Sequence, residues 1–312
     1  MARPGRESGG TLKTLEKLEK NVRDGKFYEA QQMYKTIFAR YMASKKHTEA
    51  LDLLQSGASI QLRHGQLILR KVTCGVELGL LLVEGMTTIK LAYGPEALDR
   101  IKAVFKEFPR SPTLEAQYST KTLIEGVSTF MKVAIRWSSE FGAPSRGSPE
   151  LHELLADFLA RESPQPDLAK AFYHYVRGNN PSAFASAIIS GMLEPEEGDL
   201  LLARGVFLYL SMGNLRDANK LFDELHSQLK DSSQASVLAS PLTHLAKFIL
   251  LTLERDALPL FRMLRENYKS SLDRDPSLNE LLDVVAEKFY NVRQRRNGLF
   301  GDLMKMLTDG GA

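Results

Sequence analysis

At 312 residues, with 43% hydrophobic and 25% charged side chains, the chain has enough apolar material for one large folded unit or two ordinary ones, which excludes wholesale disorder. Lysine and arginine number 41 against 38 aspartates and glutamates, a net charge of +3 that excludes a generally basic nucleic-acid binder and leaves any electrostatic partner to a local patch. Cys74 is the only cysteine, which excludes an intramolecular disulfide and a cysteine-based metal site and suits a reducing compartment.

The N-terminus, MARPGRESGG, has no apolar core of the signal-peptide kind, and residues 1–10 are expected to be disordered. No run approaches the roughly 18 apolar residues that suggest a membrane span. Leu12, Leu15, Leu18 and Val22 share a helical face and predict a first helix from Thr11 to Asp24, stopped by Gly25. The next stretch, Lys26 to Tyr41, carries information on both faces. At 3.6 residues per turn Phe27, Ala30, Tyr34, Ile37, Phe38 and Tyr41 form an apolar stripe, while Tyr28, Gln31, Gln32 and Lys35 fall opposite. An aromatic among amides and a lysine is a candidate contact surface.

After a break near Ser44, Lys45 to Gln55 has Ala50, Leu51 and Leu54 apolar. Further helices are expected at about 67–92, 97–107, 113–140, 149–161, 166–177, 181–191, 195–211 and 214–227, with loops at Gly94-Pro95, Pro109, Pro112, Pro164 and Pro166. The breaker-rich segment from Gly142 to Pro149 marks the midpoint. Between Ser227 and Pro241 two half-apolar pieces flank a polar turn, which predicts a β-hairpin or a loop. Helices resume at about 242–254, 256–269 and 276–291. Arg293, Arg295 and Arg296 then form a basic linker to an apolar stripe of Leu299, Phe300, Leu303, Met304 and Leu307, the face of a last short amphipathic helix.

The wording Gly25-x-x-x-Glu29-Ala30 is similar to the close-approach point of tetratricopeptide-type repeats, and Lys46-His47-Thr48-Glu49-Ala50 and Gly213-Asn214-Leu215-Arg216-Asp217-Ala218 repeat its logic in degenerate form. Helix pairs of this type must stack to bury their apolar faces, so the fold expected is all-α, a right-handed α-solenoid of antiparallel helix pairs with one candidate β-hairpin near 227–241.

Chemistry is absent from the sequence at the level of motifs. There is no phosphate-binding GxxxxGK[ST], GxGxxG, GxSxG or HExxH. The histidines at 47, 64, 152, 174, 226 and 244 show no i, i+3 or i+4 pairing that would build a helical metal site. Acidic runs at Glu194–Asp199 and Asp223–Glu224 read as solvated helix ends. No enzymatic role, cofactor or metal is expected. From the residues alone, the alternative reading is a generic helical-repeat receptor for short peptide motifs or a subunit of a larger regulatory complex.

Three stretches in the first third, Phe27 to Tyr41, Ser44 to Ala50 and Ser56-Gly57-Ala58, carry a family likeness. They are followed in order by His64-Gly65-Gln66, Trp137-Ser138-Ser139, Pro149-Glu150-Leu151-His152, Tyr268, Leu272 to Pro276 and Asn279-Glu280. Together these resemble the scaffold subunits of the guided-entry pathway for tail-anchored membrane proteins, over roughly residues 11–308. The resemblance implies a solenoid without activity of its own whose halves, 11–143 and 144–308 followed by a 309–312 tail, hold different partners. The N-terminal half would dock a homodimeric targeting ATPase through Tyr28, Gln31, Gln32, Lys35 and Arg40, with Glu77 and Glu84 as acidic contacts. The C-terminal half would grip a ubiquitin-like adaptor, partly with the hairpin, through Leu229, Val237, Leu238, Leu242, Leu245, Phe248 and Ile249, and through the adaptor would reach a tetratricopeptide co-chaperone. No nucleic acid, no direct membrane insertion and a cytosolic location are implied. Where many relatives have a Pro-Lys-Gln turn before the final helix, this chain has Val292-Arg293-Gln294-Arg295, which alters the expected groove.

Overall fold

A computed structural model describes residues 17, 18, 20–64, 69–110, 120–192 and 195–292. The fold is all-α, with no strand among the described residues. The N-terminal residues 1–10 expected to be disordered, the start of the first helix, the linker arginines and the stripe from Leu299 to Leu307 lie outside these residues. Two compact units are present, Met1–Leu151 with Glu162–Gln165, and His152–Arg161 with Pro166–Ala312.

In the first unit the main helices are α1 (Phe27–Ala43), α2 (His47–His64), α3 (Leu69–Thr88), α4 (Pro95–Lys106) and α5 (Thr120–Glu140). Gly25, at φ +80°, supplies the left-handed turn that lets the chain enter α1, a conformation glycine adopts without Cβ strain. Only three residues separate α1 from α2, which makes them an antiparallel hairpin. The apolar stripe read from α1 is the buried one, with Ala30, Tyr34, Ile37 and Phe38 inside. Across from it, a Cβ at Gly57 would lie 2.6 Å from the Tyr34 ring, so α2 approaches α1 at glycine contact distance. The helix α2 runs on to His64, past Gln55, and Gly57 within it is small because the Tyr34 ring lies on it, and not because the helix stops. Phe108 and Phe130, rings 5.7 Å apart, extend the core toward α5.

The second unit continues α6 (Pro149–Asp157), whose first residues belong to the first, into a π-helical turn at Phe158–Glu162. It then builds α7 (Leu168–Tyr175), α8 (Pro181–Gly191), α9 (Pro195–Ser211), α10 (Leu215–Lys230), α11 (Pro241–Glu254), α12 (Leu258–Asn267), a single turn at Lys269–Leu272 and α14 (Pro276–Tyr290), counting that turn as α13. The starts follow from local chemistry. Asp167, Asn180, Asn214, Ser240 and Asp275 each accept a backbone N–H of the first turn through the side chain, and proline opens α8, α11 and α14 where its missing N–H costs nothing. An aromatic cluster fixes α7, α8 and α9 together. The Phe184 ring stacks on Tyr175 at 4.9 Å and meets Phe172 and Tyr209 edge-on.

The hairpin expected at 227–241 is not formed. Instead α10 runs on to Lys230, burying Leu229, and Ala235–Ala239 makes a 3₁₀ turn. The serines account for this. Ser232 donates to the Leu229 carbonyl and accepts from the Gln234 N–H, Ser240 caps α11, and Thr243 donates to the Val237 carbonyl, so local side chains satisfy the backbone that a β-ladder would have needed.

Candidate functional site

The expected ATPase face divides between two helices. Gln31 and Lys35, one turn apart on α1, both donate to the same Glu77 oxygen on α3, each at 2.7 Å. Farther along, a Cβ at Gly85 of α3 would touch the Phe38 ring of α1 at 3.0 Å, so α1 and α3 lie side by side and run in the same direction. This is the arrangement of alternate helices in a stack of antiparallel pairs.

Burial sorts the named residues. Tyr28 is 67% exposed, and Gln32, Arg40, Glu77 and Glu84 are also exposed. Lys35 is half-buried, its stem lying on α1 while its ammonium faces Glu77. Gln31 departs from the sequence reading, being only 2% exposed. Helical phase put it with Tyr28, but α3 covers that edge, and its amide is spent inside the protein on Glu77. Since the Lys35–Glu77 pair stands largely in solvent, it contributes no more than about 1 kcal/mol, and it serves position more than stability. Arg40, in the last turn, is a separate exposed cation; no described contact joins it to the Lys35–Glu77 group.

One residue here was not singled out for this surface by sequence reasoning. Cys74, one turn before Glu77 on α3, is 9% exposed, and burial pushes its thiol up, with Glu77 adding to the rise and Lys35 opposing it. Its i, i+3 spacing from Glu77 was the available signal.

In the second unit the adaptor residues go mostly inward. Leu229, Leu242, Leu245 and Ile249 are fully buried and Val237 nearly so, as parts of the core where α9, α10 and α11 meet the 3₁₀ turn. Only Phe248, 42% exposed, and the part-buried Leu238 reach the surface. Most of the apolar face on Leu242–Leu253 therefore packs within the unit. A pair of charge contacts that the Asp273-Arg274-Asp275 wording supplies ties that turn to α9: Arg274 meets the buried Asp199 of α9 with two N–H donors at 2.7 and 3.1 Å, and Arg204 of α9 meets Asp275.

The family model of Golgi to ER traffic protein 4 matches residues 44–308. The chain belongs to the Golgi to ER traffic protein 4 family. Among its relatives, Protein GET4 of Arabidopsis thaliana is 43% identical over 314 positions, covering 94% of this chain and 95% of its own. The Homo sapiens Golgi to ER traffic protein 4 homolog is 31% identical, over 96% of this chain and 86% of its own. The crystal structure of C. therm. Get4 superimposes with a TM-score of 0.75 across 95% of both chains; at 23% identity it speaks for the fold alone. In Golgi to ER traffic protein 4 terms, Glu77, Glu84 and all seven adaptor positions fall inside the matched residues, whereas Tyr28, Gln31, Gln32, Lys35 and Arg40 precede them.

Proposed function

We propose that the protein is a non-enzymatic cytosolic scaffold that joins a homodimeric targeting ATPase, on the α1–α3 edge, to a ubiquitin-like adaptor on the second unit, serving insertion of tail-anchored membrane proteins into the endoplasmic reticulum. The observation that carries the reading is Tyr28, a large aromatic 67% exposed on the same helix edge as Gln32 and the Lys35–Glu77 pair, in a chain of this family. A tyrosine so placed offers area and a hydroxyl at small entropic cost, which is why such residues anchor interfaces. Tethering both partners, and through the adaptor a client-loaded tetratricopeptide co-chaperone, raises their mutual effective concentration without bond chemistry.

On the adaptor side the supporting residues narrow to Phe248 and Leu238, the two of the seven that solvent reaches. The test uses purified components. The double variant Tyr28→Glu, Lys35→Glu is expected to lose ATPase binding while keeping adaptor binding, and Phe248→Asp the reverse. Unchanged ATPase affinity in the double variant would sink the assignment of the α1–α3 edge.

A further inference from the structure

The family likeness puts Gln31 on the docking surface; the structure takes it off the surface but leaves it in the site. Its side chain is 2% exposed, too little for a partner to touch. Its amide Nε2 nevertheless reaches the Glu77 Oε2 at 2.7 Å, and the Lys35 ammonium donates to that same oxygen at the same distance. Among the described residues nothing donates to the other oxygen, Oε1. Glu77 itself is exposed, its side chain keeping 47% of its accessible surface. The carboxylate is fixed at one oxygen and open at the other.

The two donors are not equivalent. Lys35 is a cation on a flexible stem that solvent reaches, and its pairing offsets part of the charge a partner would meet. Gln31 is neutral and covered by α3, so it orients the carboxylate without cancelling its charge. A glutamate immobilised only when a partner arrives subtracts its rotamer entropy from the binding free energy, whereas one held beforehand does not. With Oε2 occupied, the carboxylate cannot take a guanidinium on both oxygens, and what remains is one acceptor at Oε1 for one N–H donor. Glu84, exposed and two turns farther along the same face of α3, adds negative charge to this edge. A basic side chain is the chemistry that this point of the edge fits.

We propose that Gln31 is a positioning residue: it holds Glu77 so that the open Oε1 receives a lysine or arginine of the protein docked on the α1–α3 edge. The inference rests on the docking assignment made above for that edge.

The experiment follows binding kinetics of the full chain with the purified ATPase for Gln31→Met, Glu77→Gln, their combination, Glu77→Asp and Tyr28→Glu, with thermal unfolding of each alongside. Methionine matches glutamine in length and fills the same buried space but donates nothing. Gln31→Met is expected to raise koff about tenfold and to leave kon and its salt dependence unchanged, because the Glu77 charge that steers encounter remains. Glu77→Asp, one methylene short of the Gln31 amide, keeps the charge on a surface side chain and should reproduce that result. Glu77→Gln should weaken binding and flatten the salt dependence of kon. Added to Glu77→Gln, Gln31→Met should change koff by less than about twofold, since no carboxylate is left to hold. An equal loss from Gln31→Met in both backgrounds overturns the proposal, because Gln31 then acts through the packing of α1 on α3. Unchanged koff in Gln31→Met and Glu77→Asp, with binding abolished by Tyr28→Glu, also overturns it and leaves the docking edge standing. If Tyr28→Glu binds normally as well, the docking assignment itself is wrong and the proposal falls with it.

Discussion

The α1–α3 edge and the α11 region were both picked out as binding surfaces, and they turn out to be opposites. On the first, Tyr28, Gln32, Glu77 and Glu84 stand in solvent around one internally paired lysine. On the second, five of seven named residues are core. An aromatic on the polar face of an amphipathic helix has no structural duty that would hide it, so its exposure is readable from phase. An apolar stripe reads identically whether it faces its own core or a partner, and in a stack of helices the core takes it first.

The largest effect that tests this contrast is at Lys35. Reversal by Lys35→Glu puts two carboxylates together with Glu77 and removes the cation from the surface, and ATPase affinity should fall at least about a hundredfold, near 2.7 kcal/mol. The swap Lys35→Glu with Glu77→Lys restores the internal pair with reversed sign. If Lys35 acts only by bracing Glu77, the swap recovers binding; if it contacts the partner, binding stays lost while thermal stability returns. Isothermal titration on both variants separates the two.

Next in size is Gly57→Ala. In an open helix this exchange gains about 1 kcal/mol, but here the methyl would sit 2.6 Å from a fully buried Tyr34 ring, and overpacking of this kind costs about 1–3 kcal/mol. The clash outweighs propensity, so urea unfolding of the first unit should shift toward lower denaturant. A rise in stability would mean that α1 and α2 have room to part, and that the α1–α3 edge is not rigidly held.

Much of the architecture was legible because the boundaries are written in side chains. Asn180-Pro181, Asn214, Ser240-Pro241 and Asp275-Pro276 are cap and first-turn signals, and the helices at 181–191 and 195–211 begin and end where the sequence put them. Two things were not legible. Which neighbour lies across a helix edge is a tertiary fact, and it turned Gln31 from a surface amide into a buried donor to Glu77, 46 residues away. Whether a serine-rich connection pairs as strands or coils on itself depends on local bonds that compete within about a kcal/mol each, and around Ser232 and Ser240 the coil won.

Acid should separate the two units further. In the second, Asp217 and Asp275 are held below the usual carboxylate range. Burial alone would push each up, but Arg216 and Asn214 around Asp217, and Ser277 with Arg204 around Asp275, outweigh it. A folded pKa below the unfolded value near 3.9 means stabilisation that is complete above it and is lost as pH falls through the folded value. In the first unit the comparable group is Glu107, lowered by its bond to the exposed Arg63. Hydrogen exchange between about pH 5 and 2.5 should therefore show the second unit opening first; earlier opening of α1–α5 would refute this ordering.

The smallest expected effect is at Glu280 on α14. Its carboxyl is pushed up, first by burial and then by the nearby Asp283 and Asp275, and its Oε2 is buried with no hydrogen-bond partner. For a carboxyl raised in the folded state the sign runs the other way: the ionised form costs stability above the folded pKa, and the cost disappears as pH falls below the unfolded value near 4.3. Glu280→Gln should then raise the stability of the second unit at pH 7 and leave it unchanged at pH 4. Asn279-Glu280 was also part of the wording that carries the family likeness, so partner contact is the competing explanation. It predicts weaker adaptor binding with unchanged stability. Because Phe248 and Glu280 sit on different helices of the same unit, that outcome would move the adaptor surface away from α11 toward α14.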